Sequence, residues 1–275
     1  MESPSAPKDI ALKNTPTDPG SETLRGTDSG SPARVGGLTD VGRVREFNED
    51  NLHWEALDAH ASLYAVADGM GGHDRGEVAS QVAVDTLFEM ARVGLPEVSE
   101  RQPTLLRELM RDFMQSANRA VITKGEEHNS NMGTTLCAAL VQKDHAIISN
   151  VGDSRVYLMR QGQLIRISQD HSLVGFLETL GELTPAEART HPSGNILVRS
   201  IGSVPEVEVD VFHVETEEGD RILLCSDGLW GEVEDHEIAA TLIATEDCQE
   251  ACVELVDMAN EAGGKDNSTL VLVTI

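Results

Sequence analysis

Apolar positions along the chain fall into two rhythms. Continuous apolar runs at residues 62–67, 135–142, 145–151, 155–160, 221–225 and 269–275 predict short strands, several of them too apolar to face water. Residues 155–160 and 163–167 flank Gln161-Gly162, which predicts a hairpin turn. The second rhythm is close to i, i+4. It predicts one helix through Val78, Val82, Leu87, Met90 and Ala91, and another through Leu105, Leu109, Phe113, Ala117 and Val121. Thr184-Pro185-Ala186-Glu187 places Thr at an N-cap, Pro at the first helical position and Glu where a capping box needs it. A last helix over 249–262 ends at Gly263-Gly264, where a left-handed cap is expected. Strands cluster as meanders and helices come in pairs, which predicts an α+β fold with helices packed on antiparallel sheets.

Residues 1–35 carry five prolines among Ser, Thr, Asp and Gly, and read as a disordered tail. The folded domain is expected over 36–275. The chain holds 47 acidic and 21 basic residues, a charge of −26 at pH 7. The tail's charges nearly cancel, five acidic to four basic, so the acidity belongs to the folded part. Such a surface argues against nucleic acid and anionic membranes as partners. Aromatic residues make up only 3% of the chain, so the core must be aliphatic. Neither a membrane-length apolar stretch nor a secretory signal is evident, and a soluble, cytoplasmic monomer is expected. Cys137, Cys225, Cys248 and Cys252 form no Cys-x-x-Cys pair and read as packed thiols rather than disulfides or a zinc site.

The chemistry concentrates where strands end in acidic residues. Asp68-Gly69 follows one apolar run and Asp227-Gly228 another. Asp-Gly alone suggests a hairpin turn, but in both places a helical pattern follows instead of a second strand. Glu49-Asp50, Gly152-Asp153 and Asp266-Asn267 also lie beside predicted strands. Carboxylates gathered at strand ends suit hard divalent cations such as Mg²⁺ or Mn²⁺. A shared Asp with further terminal carboxylates would build a two-metal site, whose bridging water is a hydroxide source for attack on a phosphorus ester. Gly69-x-Gly71-Gly72 lacks the spacing of a dinucleotide fingerprint.

Seven motifs, in order, resemble those of the type 2C metal-dependent serine/threonine protein phosphatases, in particular their compact bacterial branch. They are Arg45-x-x-Asn48-Glu49-Asp50, Val66-Ala67-Asp68-Gly69-Met70-Gly71-Gly72, Met132-Gly133-Thr134-Thr135, Val151-Gly152-Asp153-Ser154-Arg155, Asp170-His171-Ser172, Leu224-Cys225-Ser226-Asp227-Gly228 and Asp266-Asn267. The resemblance implies a four-layer α/β/β/α sandwich with two central antiparallel sheets. It also implies two Mn²⁺ or Mg²⁺ ions and hydrolysis of phosphoserine and phosphothreonine in proteins, opposing bacterial Ser/Thr kinases.

By that resemblance Asp68 bridges both ions, with the Gly69 carbonyl on one of them. Asp227 and Asp266 complete the first ion's ligands, Glu49 and Asp50 serve the second, and Asp153 stands where bacterial members hold a third. Arg45 matches the phosphate-binding arginine, and residues 172–205 match a variable flap beside the active site. The general acid is left open between His73, three residues after Met70, and a metal-bound water; His171 is expected to fix the start of the flap. Two rivals to a general phosphatase are a non-catalytic metal-binding module that recognises phosphoproteins and a phosphatase dedicated to one signalling partner.

Overall fold

The computed structural model describes residues 21–23, 34–70, 75–96 and 101–275. Of the predicted tail, residues 1–20 and 24–33 lie outside the described residues, and Ser21–Thr23 forms a strand, β1. In chain order there follow β2 (Val35–Asp40), β3 (Asp50–Ala56), β4 (Ser62–Met70), α1 (Gly76–Gly94), α2 (Pro103–His128), β5 (Gly133–Thr134), β6 (Leu136–Val141), β7 (His145–Val151), β8 (Arg155–Arg160) and β9 (Gln163–Arg166). The remainder comprises α3 (Leu173–Thr179), α4 (Pro185–Arg189), β10 (Asp210–Glu215), β11 (Arg221–Cys225), α5 (Asp227–Trp230), α6 (Asp235–Ala244), α7 (Cys248–Ala262) and β12 (Ser268–Thr274).

These strands make two sheets in which every pairing is antiparallel. One runs β1-β2-β12-β11-β8-β9 and the other β10-β7-β6-β4-β3, with β5 paired to the end of β4. Alternation along the apolar strands explains why they are buried on both faces. On β11, Ile222 and Leu224 meet Val66, Cys137, Ala139 and Ile148 of the other sheet, while Leu223 and Cys225 turn outward against Leu255 and Ala259 of α7. On the far side, α1 and α2 cover Leu63, Ala65, Leu140 and Ile147 with Leu87, Phe88, Met110 and Met114. The result is the expected four-layer sandwich, and its three apolar layers are dominated by aliphatic side chains.

Local signals behave as anticipated. Gln161 and Gly162 both have positive φ, 51° and 79°, which lets β8 turn directly into β9. Thr184 and Glu187 form a reciprocal capping box on α4, and Gly264, at φ 52°, follows α7 in the left-handed region. All four cysteines are free and buried.

Candidate metal centre

Because the strands are antiparallel, strand beginnings and strand ends alternate along one edge of the sandwich. That edge collects Asp50 at the start of β3, Asp68 near the end of β4, Asp153 between β7 and β8, Asp227 just after β11, and Asp266 just before β12. Asp50 and Asp68 are direct partners in the β3–β4 register.

Each acidic residue is held by its neighbours. The Asp68 backbone is fully engaged: its N–H donates to Thr135 Oγ1 at 2.9 Å, and its carbonyl accepts from the Thr135 N–H and Thr134 Oγ1, both at 2.8 Å. Ser226 Oγ donates to Asp50 Oδ2 at 2.7 Å and accepts the Thr269 N–H at 3.0 Å, tying β3 to the other sheet. The Glu49 N–H donates to Asn267 Oδ1 at 2.8 Å, its carbonyl accepts from Ser80 Oγ at 2.6 Å, and its Oε1 accepts the Gly76 N–H at the N-terminus of α1. Arg45 reaches Asp266 Oδ2 through Nη2 at 2.6 Å.

Glycines allow these close approaches. A Cβ on Gly69 would lie 2.1 Å from the Gly76 carbonyl oxygen, and one on Gly228 would lie 2.0 Å from the Asn267 carbonyl oxygen. Gly152, at φ 109°, turns the chain toward Asp153. Arg155 grips Asp170 through Nε and Nη2 rather than neighbouring Asp153 and stacks 3.5 Å from the Trp230 ring, while Trp230 Nε1 donates to the Asp153 carbonyl.

The cluster is electrostatically unbalanced. Burial, followed by the repulsion of Asp227 and Asp266, raises Asp50 to about 8, and burial with Asp266 raises Asp227 to about 6. Burial and the surrounding aspartates hold Asp68 and Asp153 well above the usual carboxylate range, and burial also raises Glu49. Asp227 Oδ1 is buried without a hydrogen-bond partner. Among the described residues, no group of three or more His, Cys, Asp or Glu side chains is placed so that it could hold a metal ion. The donor chemistry fits hard divalent ions nonetheless: every donor is an oxygen, the carboxylates suppress one another's ionisation, and one buried carboxylate oxygen is unpartnered.

The predicted flap contains α3 and α4. Val174, Gly175, Glu178 and Ala188 from it line a cavity of about 530 Å³ together with Asp227 and Asp266. His171 anchors its start: its N–H donates to the Gly152 carbonyl, its Nδ1 accepts the Gly152 N–H, and its carbonyl accepts the Val198 N–H. His73 lies outside the described residues. Ser226, Thr135 and Asn267 lie within the sequence motifs, where their residue types alone assign them no role. Asn267 is the hub, since its Nδ2 donates to the Val41 and Phe47 carbonyls while its Oδ1 holds Glu49. Its only sequence signal is its place between an acidic residue and a strand.

The chain is similar to several known proteins. The family description "Protein phosphatase 2C" matches residues 42–265. The serine/threonine phosphatase stp of Listeria welshimeri is 38% identical over 239 residues, covering 86% of this chain and 93% of its own. The crystal structure of serine/threonine phosphatase Stp1 from Staphylococcus aureus superimposes with a TM-score of 0.82 at 32% identity, covering 91% of this chain and 98% of that one. The catalytic domain of serine threonine protein phosphatase PstP, solved with two manganese ions, gives 0.76 at 34% identity, covering 88% and 97%. A match across most of the chain leads to one conclusion: this chain belongs to the protein phosphatase 2C family.

Proposed function

We propose that the chain hydrolyses phosphoserine and phosphothreonine in proteins, opposing Ser/Thr kinases, with two Mn²⁺ or Mg²⁺ ions at the strand-end cluster. The family is metal-dependent. The observation that carries the reading is the convergence of Asp50, Asp68, Asp153, Asp227 and Asp266 on one edge, with Asp227 Oδ1 buried and unpartnered. When bound, the ions supply activated water for direct attack on phosphorus and neutralise the phosphoryl oxygens.

The chain's own residues do the rest. Asp68 would be shared between the ions and the Gly69 carbonyl would serve one of them, with Asp227 and Asp266 on the first and Glu49 and Asp50 on the second, directly or through water. Asp153 would serve a third ion. Arg45 uses one nitrogen on Asp266, leaving the rest of its planar fork to orient the phosphate. The leaving Ser or Thr oxygen takes its proton from His73 or from water. The flap admits or selects substrates from the cavity side.

Asp68→Asn should lower kcat for p-nitrophenyl phosphate in Mn²⁺ by at least about 10³-fold with the fold retained by circular dichroism. Wild-type turnover by that variant would refute the reading.

A further inference from the structure

The loop between β2 and β3 carries Arg45. On either side of it stand the two most exposed large apolar side chains among the described residues, Val44 at 69% and Phe47 at 68%. Apolar side chains scattered singly on a surface are ordinary. These two bracket the cation that contacts the carboxylate cluster, and the backbone beneath them is fixed. The Arg43 N–H donates to the Gly264 carbonyl at 2.7 Å, the Gly42 N–H to Asp40 Oδ1 at 2.8 Å, and Asn267 Nδ2 to the Phe47 carbonyl at 3.0 Å. Gly42, at φ 80°, lies so close that a Cβ there would be 2.4 Å from the Asp266 carbonyl oxygen. Val44 and Phe47 therefore project from a backbone already braced against the segment that bears Asp266, so little chain ordering opposes binding to them.

The chemistry around the pair identifies its occupant. A phosphate ion or a small ester is satisfied by Arg45 and the cluster and extends to neither side chain. A protein substrate has to lead its chain past this loop in order to place a phosphorylated residue at Arg45. Glu46 in the same loop, with Glu49 and Asp266 behind it, repels acidic flanks and leaves apolar or basic ones.

We infer that Val44 and Phe47 form an apolar grip on the residues flanking the phosphorylated side chain of a protein substrate. The enzyme then selects phosphosites that carry a large apolar residue within about three positions, roughly 10 Å of extended chain. The inference rests on the phosphatase reading and adds a substrate class to it.

The test uses the full chain in Mn²⁺ and phosphothreonine peptides that differ only in Leu or Ser at each of the three positions on either side. For at least one position, wild-type kcat/KM should favour Leu about tenfold, expressed mainly in KM. Phe47→Ser should bring that ratio close to one, Val44→Ser should reduce it part of the way, and Phe47→Leu should keep most of it. Both positions are exposed, and thermal melting verifies that each variant is folded. A wild-type ratio near one at every position, or a ratio unchanged in Val44→Ser/Phe47→Ser, overturns the grip. Wild-type turnover of p-nitrophenyl phosphate, measured alongside, reports on the phosphatase reading separately: if it is absent, that reading fails first.

Discussion

Asp50 and Asp68 face each other across the β3–β4 pair, where two ionised carboxylates would repel. Their raised pKa values have a measurable consequence in protein stripped of divalent ions. A carboxyl whose pKa is higher in the folded than in the unfolded chain holds its proton more tightly when folded. The stability it lends is intact below the unfolded value of about 4 and is lost as pH rises through the folded value. With Asp227 at about 6 and Asp50 at about 8, thermal stability of the stripped protein should fall from about pH 4 to about pH 8, most steeply below 6 where both groups contribute. The rise in Tm on adding Mn²⁺ should be larger at the upper end, because ions compete with protons for the same oxygens. A flat or rising profile would show that the carboxyls titrate normally. Ser226→Ala removes the hydroxyl that holds Asp50 and should cost about 1–2 kcal/mol in chemical denaturation. At this scale the acidic residues were legible because Asp68, Asp153, Asp227 and Asp266 stand next to predicted strands, and five of the six, all but Asp266, lie directly beside a glycine or a second acidic residue. Their supports were not: Asn267 and Glu49 are 218 positions apart, and no local pattern announces such a bond.

At the scale of elements, α1 is docked by its first turn onto the ends of β3 and β4, with no room between the Gly69 Cα and the Gly76 carbonyl. Gly69→Ala should therefore push α1 outward, costing about 3 kcal/mol or more and lowering Mn²⁺ affinity, as read by thermal melting with and without the ion. Unchanged stability would mean that the close approach is not required. The same packing explains which elements the sequence concealed. β2 begins Val35-Gly36-Gly37, and glycine weakens a strand signal. Both glycines are needed there, because a Cβ on Gly36 would lie 2.5 Å from the Cys248 backbone of α7 and one on Gly37 would lie 2.6 Å from the Trp54 ring. β3 and β10 are edge strands with half their side chains toward solvent, so they lack the continuous apolar runs that revealed β6, β7 and β11. α5 is four residues long, too short for any period to register.

For the whole molecule, the four-layer order follows from alternation within strands buried on both faces, but the pairing of β12 with β2 and of β11 with β8 joins distant segments that no local signal connects. The charge of −26 is carried almost entirely by the folded domain, and the carboxylate cluster is part of it. Divalent ions at that cluster reverse the local field, while the remaining surface still repels anions. Phosphopeptides with basic flanks should therefore turn over faster than matched peptides with acidic flanks, and the advantage should shrink as salt shortens the screening length below about 8 Å. Faster turnover of acidic peptides would contradict that picture. The most direct measurement is anomalous diffraction from crystals soaked in Mn²⁺. The account predicts two manganese peaks bridged by the Asp68 carboxylate, one contacted by Asp227 and Asp266 and the other close to Glu49 and Asp50. Peaks confined to other acidic surfaces, with these carboxylates unengaged, would contradict it.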